Sequence, residues 1–156
     1  MIANRREVLS TSAKVASLML ASGLFGQMAH ASGPAAGKGA FDAKTMADMA
    51  KALGYGAPAE SKDVSITAPD IAENGAVVPL GAATTLAGVK QMMLLVEKNP
   101  SVLAALFNVS PEIEANFSTR VKMGQSSNVF AVAITNDNKV LFAQKEVKVT
   151  LGGCGG

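Results

Sequence analysis

The chain is poor in the side chains that carry most enzyme chemistry. Its 156 residues include one Cys, one His and no Trp, and aromatic residues make up only 4%. The His, His30, lies in an N-terminal leader that we expect to be removed. The mature chain would then lack the residues for Ser-His-Asp or Cys-His catalysis and for zinc sites built from His and Cys. We therefore predict no catalytic residues, no bound metal and no cofactor.

Residues 1–31 have the pattern of an export signal. Arg5 and Arg6 precede an apolar stretch at 15–25, which is too short to span a bilayer. Ala-His-Ala at 29–31 supplies a small-x-small cleavage site. Paired arginines before a modestly apolar run favour the twin-arginine route, which moves folded cargo, over an ordinary secretory signal. The sequence thus predicts a periplasmic protein with no membrane segment after cleavage.

The charge of the precursor does not describe the mature chain. The leader holds three of the 14 basic residues and one of the 12 acidic residues, so removing it leaves eleven of each. The precursor pI of about 8.8 is therefore no argument for nucleic-acid binding. The mature chain also has no run of positive charge that could follow a phosphate backbone.

The only cysteine, Cys154, is the third residue from the C-terminus and lies in a Gly-Gly-Cys-Gly-Gly sequence. Glycine has no Cβ and few conformational restrictions, so residues 152–156 have little preferred structure. At about 3.3–3.6 Å per extended residue, Cys154 can reach about 10 Å beyond Leu151. In an oxidising compartment an unpaired Cys indicates intermolecular pairing or a working thiol. An incidental Cys in a disordered tail is the plain alternative.

The residues between leader and arm predict one short helix followed by strands. Apolar residues at helical spacing predict a helix over 41–55, with Pro79 at a sheet edge further on. Alternating apolar residues predict strands over 62–68, 112–123 and 139–151. Runs that are apolar on both faces predict buried strands at 88–98 and 129–135. Residues 101–108 are interpreted as a loop or short helix.

Six or seven strands with turn signals between them predict an all-β, immunoglobulin-like antiparallel sandwich. The predicted organisation is a signal peptide at 1–31, a sandwich with a leading helix at 40–151 and an arm at 152–156. The last strand leads directly into Gly152, which gives the arm a rigid base.

Three segments resemble one family, the Y subunit of the sulfur-oxidation (Sox) carrier complex. They are the C-terminal Val-Lys-Val-Thr-Leu-Gly-Gly-Cys-Gly-Gly at 147–156, Pro-Asp-Ile-Ala-Glu-Asn-Gly-Ala-Val-Val-Pro at 69–79, and Ser-Thr-Arg-Val-Lys-Met-Gly-Gln-Ser at 118–126. With the twin-arginine leader, the similarity covers nearly the whole chain. The Gly-Gly-Cys-Gly-Gly end is its most specific part.

The resemblance implies a periplasmic carrier that pairs with a smaller SoxZ-like subunit, possibly in a higher oligomer. Cys154 would hold the sulfur substrate covalently, and the swinging arm would be formed by Gly152, Gly153, Gly155 and Gly156. A c-type cytochrome complex would couple thiosulfate to the thiol, and a hydrolase would release sulfate. A sulfane dehydrogenase would act on the remaining sulfur in some organisms.

Two other functions remain open at this point. In a ubiquitin-like sulfur carrier, the C-terminal Gly-Gly carboxylate would carry sulfur after activation by cytoplasmic ATP, which the export leader argues against. In a structural immunoglobulin-like domain, Cys154 would serve only to dimerise the protein. The thiol has no Lys, Arg or His within four residues, and an ordinary thiol is mostly protonated at pH 7. We therefore expect it to react inside a partner's site, as a carrier does.

Overall fold

The computed structural model describes residues 38–150, which form two short helices and nine strands. The helices are α1 (Lys38–Asp42) and α2 (Met46–Ala52). The strands are β1 (Pro58–Glu60), β2 (Val64–Thr67), β3 (Ile71–Ala72), β4 (Val78–Thr84), β5 (Val89–Val96), β6 (Leu103–Asn108), β7 (Asn116–Val121), β8 (Ser127–Thr135) and β9 (Val140–Val149).

The strands form two sheets, which confirms the predicted all-β sandwich. The larger sheet has the order β1-β9-β8-β5-β6, and the smaller sheet has the order β2-β4-β7. Every neighbouring pair along these orders is antiparallel except β1 with β9. The two-residue strand β3 also pairs with β9 in parallel. Strand β9, which leads to the arm, therefore has β8 on one side and both β1 and β3 on the other.

The larger sheet is covered on both faces, which explains why its central strands are apolar throughout. On β5, Met92, Leu94 and Val96 pack in one cluster with residues of the smaller sheet. Met93 and Leu95, between them in sequence, pack in a second cluster with residues of the N-terminal helices. Successive side chains of a strand point to opposite faces, so a strand buried on both sides shows no polar alternation. The buried strands predicted from this pattern are confirmed as β5 and β8.

The N-terminal region forms two helices, so the prediction of one helix over 41–55 was wrong in its extent. The Thr45 backbone is extended, and its hydroxyl accepts a hydrogen bond from the Asp48 N–H at 3.0 Å. Such an N-cap starts a new helix at that point. Phe41, the first residue of the predicted helix, belongs instead to the separate helix α1 and is 53% exposed.

Residues 101–108 were wrongly interpreted as a loop or short helix, since Leu103–Asn108 form strand β6. Its apolar side chains alternate between the two clusters, with Phe107 packing in the first and Leu106 in the second. A strand packed on both faces shows no alternation of polar and apolar residues, so the sequence pattern did not indicate strand β6.

The strand predicted over 112–123 is shorter, because regular pairing covers only Asn116–Val121. Ile113 lies in the preceding loop and is 51% exposed. Strand β4, which contains Pro79, is the middle strand of its sheet and not an edge. Pro79 is tolerated there because β2 pairs with β4 only from Gly81 to Thr84, so the start of β4 has β7 as its only strand partner.

The last strand is confirmed as Val140–Val149, but it buries residues on both of its faces. Val147 belongs to the cluster between the sheets, whereas Val140 belongs to the cluster under the helices. No helix within residues 38–150 is long and apolar enough to cross a membrane.

Candidate functional site: the root of the C-terminal arm

The predicted site residues Cys154, Gly152, Gly153, Gly155 and Gly156 lie outside the described residues. The export residues Arg5 and Arg6 also lie outside them. The structure does describe the strand that leads to the arm, up to Thr150. We call the end of β9 and its immediate neighbours the arm root, comprising residues 68–77, 122–127 and 145–150.

The last three described backbone N–H groups of the chain each donate a hydrogen bond. Lys148 N–H donates to the Asp70 carbonyl at 3.0 Å, and Thr150 N–H donates to the Ala72 carbonyl at 3.1 Å. Between them, Val149 N–H points the other way and donates to Ser126 Oγ at 2.9 Å. Bonds on both sides of the strand fix its direction up to the residue before Leu151.

The side chains at the end of β9 reinforce this anchoring. Val147 is fully buried between the sheets, and Val149 packs against the same cluster. Ser127 of β8 pairs with Val147, while Ala72 of β3 pairs with Val149. An arm that starts from such a strand has a fixed origin whatever its own mobility.

The three segments that carry the family resemblance meet at the arm root. The segment at 69–79 contains β3, and the segment at 118–126 ends with the Ser126 hydroxyl that holds the strand. Met123 N–H donates to the Gly75 carbonyl at 2.7 Å, which joins these two segments to each other. The sequence places them about 20 to 80 residues apart, so only the fold shows that they form one site.

An ion pair lies at the part of β9 that pairs with neither β1 nor β3, between the two. Lys145 Nζ lies 2.9 Å from Asp70 Oδ1 and also donates to the Ala68 carbonyl at 2.6 Å. The hydrogen bond from Lys145, together with its charge, lowers the pKa of the Asp70 carboxyl below its ordinary value. The sequence analysis missed both residues, because neither has a pattern that marks it as a partner of the other.

The segment at 71–77, which follows Asp70 in sequence, exposes two apolar side chains. Asn74 Oδ1 accepts a hydrogen bond from the Ala76 N–H at 2.9 Å, so Asn74 shapes the turn within this segment. Ile71 and Val77 are 57% and 51% exposed. Within residues 38–150, no group of three or more His, Cys, Asp or Glu side chains could hold a metal ion. The arm root can therefore hold and present a chain segment through hydrogen bonds, one ion pair and apolar contact.

Comparison with known proteins shows a match to one family model. The family model for sulfur oxidation protein SoxY matches residues 49–154, so its match ends at Cys154. The chain belongs to the SoxY family. The solved structure of the sulfur carrier protein SoxY from Chlorobium limicola f thiosulfatophilum is similar to it, with 36% sequence identity and a TM-score of 0.58. That similarity covers 67% of this SoxY chain and 96% of the Chlorobium chain.

More remote similarities are weak. A superoxide reductase (neelaredoxin) from Ignicoccus hospitalis matches at 18% identity with a TM-score of 0.49, over 55% of this chain and 79% of that one. A putative superoxide reductase from Thermotoga maritima matches at 13% identity with a TM-score of 0.47, over 56% and 86%. No curated protein sequence matches the chain significantly. These two similarities carry no argument about this protein.

The anchor at Ser126 can be tested in this SoxY chain by changing Ser126→Ala. The Val149 N–H then loses its acceptor, and we expect the free energy of unfolding to fall by about 1 kcal/mol. We also expect the Val149 amide to exchange faster with solvent, measured by NMR. Ser118→Ala, on the exposed outer side of β7, is the matched control and should change neither quantity. An unchanged Val149 amide in the Ser126→Ala variant would show that the hydroxyl does not hold the strand.

The ion pair at the arm root predicts a specific pH response. Changing Lys145→Gln should raise the pKa of Asp70, which NMR titration of its carboxyl would measure. The pKa of Asp70 is lower in the folded protein than in the unfolded chain. The ion pair therefore stabilises the fold fully at pH values above the unfolded-state pKa. That contribution is lost as the pH falls through the folded pKa.

Asp137 provides the internal control for this titration. Its pKa is lowered to about 2, first by a hydrogen bond from Lys139 and then by one from Thr135. It lies in the turn between β8 and β9 and should titrate identically in both proteins. If the Asp70 carboxyl had the same pKa in the Lys145→Gln variant as in the unchanged protein, this would contradict the assigned ion pair.

Proposed function

We propose that this SoxY chain is a periplasmic carrier that holds thiosulfate and its oxidation intermediates on Cys154 while partner enzymes act on them. The observation that supports this most directly is the placement of the chain's one thiol. It follows, after a few mostly glycine residues, a strand whose last described N–H groups are all hydrogen-bonded. A reactive group on a glycine-rich tether with a fixed origin suits delivery to several active sites in turn.

The proposed chemistry needs an oxidant that the partner supplies. The Cys154 thiolate forms a bond to the outer sulfur of thiosulfate, and two electrons pass to a c-type cytochrome complex. Cys154 then carries an S-thiosulfonate, and its thiol proton is released to solvent. A hydrolase next adds water across the sulfur–sulfonate bond, which releases sulfate and two protons and leaves one sulfane sulfur on Cys154. Where the organism has a sulfane dehydrogenase, this enzyme passes electrons from the sulfane sulfur to its own acceptor and adds oxygen atoms from water, and the hydrolase then releases a second sulfate and regenerates the Cys154 thiol.

The carrier role also accounts for the composition. Apart from Cys154, the mature chain has no thiol or imidazole. Thiol-to-sulfur bonding is thus the covalent redox chemistry available to it near neutral pH. In this proposal the chain supplies the attachment point and the arm, and the partners supply catalysis. A SoxZ-like subunit stays bound to the carrier throughout the cycle.

Reconstitution tests the proposed function. The mature chain, its SoxZ-like subunit, the hydrolase and the cytochrome coupling complex, with an electron acceptor that reoxidises it, should together release sulfate from thiosulfate, one per Cys154 because the sulfane sulfur stays on the thiol in this mixture. Omitting the chain should stop release, and adding it back should restore release in proportion to its amount. Full sulfate release without the chain would overturn the proposal.

The arm needs conformational freedom if it is to visit several partners. Changing Gly152→Pro and Gly153→Pro together fixes φ near −65° at both positions and should aim the thiol in one direction. We expect sulfate release in the reconstituted system to slow by about tenfold or more, in line with the cost of a small misplacement of reacting groups. The unfolding temperature should not change, since both residues follow β9.

Substituting Gly152→Ala and Gly153→Ala provides the matched control for this pair. Alanine adds a Cβ at each position but keeps a free φ angle, so turnover should fall less than in the proline variant. Equal turnover in all three proteins would show that the flexibility of the arm is not needed.

A further inference from the structure

Strand β6 forms one outer edge of the larger sheet. Its neighbour is β5, and no second strand pairs with it among residues 38–150. The other outer edge of this sheet is formed by β9 with the short strands β1 and β3. Two strands, β8 and β5, separate β9 from β6, which puts the two about 14 Å apart at the usual strand spacing.

The hydrogen-bond pattern shows which backbone groups of β6 face outward. Val109 N–H donates to the Lys90 carbonyl at 2.9 Å. In an antiparallel pair, hydrogen-bonded positions alternate with positions whose backbone groups point away. Counting back from Val109, Ala105 and Phe107 bond to β5, and the N–H and C=O groups of Leu106 and Asn108 point outward.

This edge lacks the charges that normally protect an exposed strand. Residues 101–110 contain no Lys, Arg, Asp or Glu. The edge strands of the smaller sheet differ, since Lys62 and Asp63 precede β2 and Arg120 lies within β7. Edge strands usually carry charge, proline or a bulge that prevents pairing with another chain. Strand β6 has one bulge, at Ala104, which leaves Ala105–Asn108 in regular register.

The regular part of β6 is held firmly from behind. The Phe107 ring stacks on Phe117 of β7, with 4.6 Å between ring centroids. Asn108 Oδ1 accepts a hydrogen bond from Gln91 Nε2 at 2.9 Å, and Tyr55 donates to Gln91 Oε1 at 2.6 Å. Gln91 is buried, so this polar chain ties β6 to β5 and to the segment after α2. The outward-facing N–H and C=O groups of Leu106 and Asn108 are therefore already positioned in the chain alone.

We propose that the β6 edge binds an edge strand of the permanently associated SoxZ-like subunit, so that the two chains share one continuous sheet. Unpaired N–H and C=O groups at regular spacing are best satisfied by another extended strand. An edge without charge is typical of lasting interfaces, and the second subunit is the partner that stays bound while the enzymes come and go. Pairing at β6 also leaves the arm root on the opposite edge uncovered.

This inference rests on the proposed function, because it takes its partner from the carrier complex. The alternating pattern of the edge gives a direct test by amide hydrogen exchange, read by NMR on the mature chain alone and in complex with the SoxZ-like subunit. We expect the amides of Leu106 and Asn108 to exchange at least about tenfold more slowly in the complex. The amides of Ala105 and Phe107, already bonded to β5, should change less. Uniform behaviour of all four amides, or new protection on β7 instead, would overturn the proposal.

A charge at the edge should weaken the complex. Ala104→Lys places a cation at an exposed position of β6, and we expect the dissociation constant for the SoxZ-like subunit to rise at least about tenfold. Ala87→Lys, at an exposed position in the loop between β4 and β5, is the matched control and should bind as the unchanged chain does. Equal unfolding temperatures of the two variants would exclude misfolding as the cause. Unchanged affinity of Ala104→Lys would count against the β6 interface.

Two further outcomes separate this proposal from its alternatives. Protection of Leu106 and Asn108 that grows with concentration in the chain alone would assign the edge to a second copy of the chain and overturn the proposal. Binding should be the same for a Cys154→Ser variant, because β6 and the strand that leads to the arm, β9, are separated by β5 and β8. If β6 is protected in the complex but Cys154 carries no sulfur, the interface stands and the proposed carrier function fails.

Discussion

Replacing Cys154 with serine should abolish sulfate release in the reconstituted system. A hydroxyl is far less acidic than a thiol and cannot form the sulfur–sulfur bond on which every later step depends. The fold should be unaffected, because β9 ends at Val149 and its anchors involve Asp70, Ala72 and Ser126. The expected result is therefore complete loss of turnover with an unchanged unfolding temperature and unchanged binding of the SoxZ-like subunit.

The same substitution separates the carrier from the two other functions open to the sequence. If the C-terminal carboxylate carried sulfur, the Cys154→Ser variant would remain active. If Cys154 served only to dimerise the protein, the variant would lose a disulfide-linked dimer but keep sulfur oxidation. Either result would contradict the carrier proposal. Ser126→Ala is a useful comparison in this assay, since it loosens the arm root but keeps the thiol.

Changing Arg5→Lys and Arg6→Lys together should leave the precursor in the cytoplasm. The twin-arginine machinery reads the arginine pair itself and not merely its charge, so lysine is a demanding substitution. We propose this route because it exports folded cargo, and a SoxZ-like subunit without its own leader could leave as a bound passenger. Cell fractionation with antibody detection would measure the distribution of precursor and mature chain.

Lys14→Arg is the control for the export experiment, because it changes another basic residue of the same leader and preserves the pair. It should give normal amounts of mature periplasmic protein. Normal periplasmic levels of the double lysine variant would show that export does not use the twin-arginine route. That outcome would leave the chemistry proposed for Cys154 untouched.

The sequence predicted strands well wherever one face of the strand is polar. Val64 and Ile66 alternate with exposed residues and form β2 as expected. The prediction failed where tertiary packing removed the alternation, as in β6, whose Leu106 and Phe107 pack on opposite faces of a sheet covered on both sides. It also failed at Ile113. The alternating pattern continues through this residue, but pairing with β4 begins only at Asn116, so Ile113 lies in an exposed loop.

The sequence alone predicted the reactive residue of the site, but not the contacts that fix the arm root. Cys154 stands out because it is the sole thiol and lies among glycines. The groups that fix the arm root pair residues far apart in sequence, such as Ser126 with Val149 and Lys145 with Asp70. A single serine or an ordinary charged pair gives no local sign of such a partner, so these contacts could be found only from the fold.

Mass spectrometry of the C-terminal peptide tests the central claim most directly. The mature chain, bound to its SoxZ-like subunit, is incubated with thiosulfate and the oxidised cytochrome coupling complex, without the hydrolase. The proposal predicts a mass gain equal to one thiosulfate group on Cys154 alone, removed by a thiol reductant and absent from the Cys154→Ser variant. A gain on any other residue, or thiosulfate consumption by the same mixture with Cys154 unmodified, would contradict it.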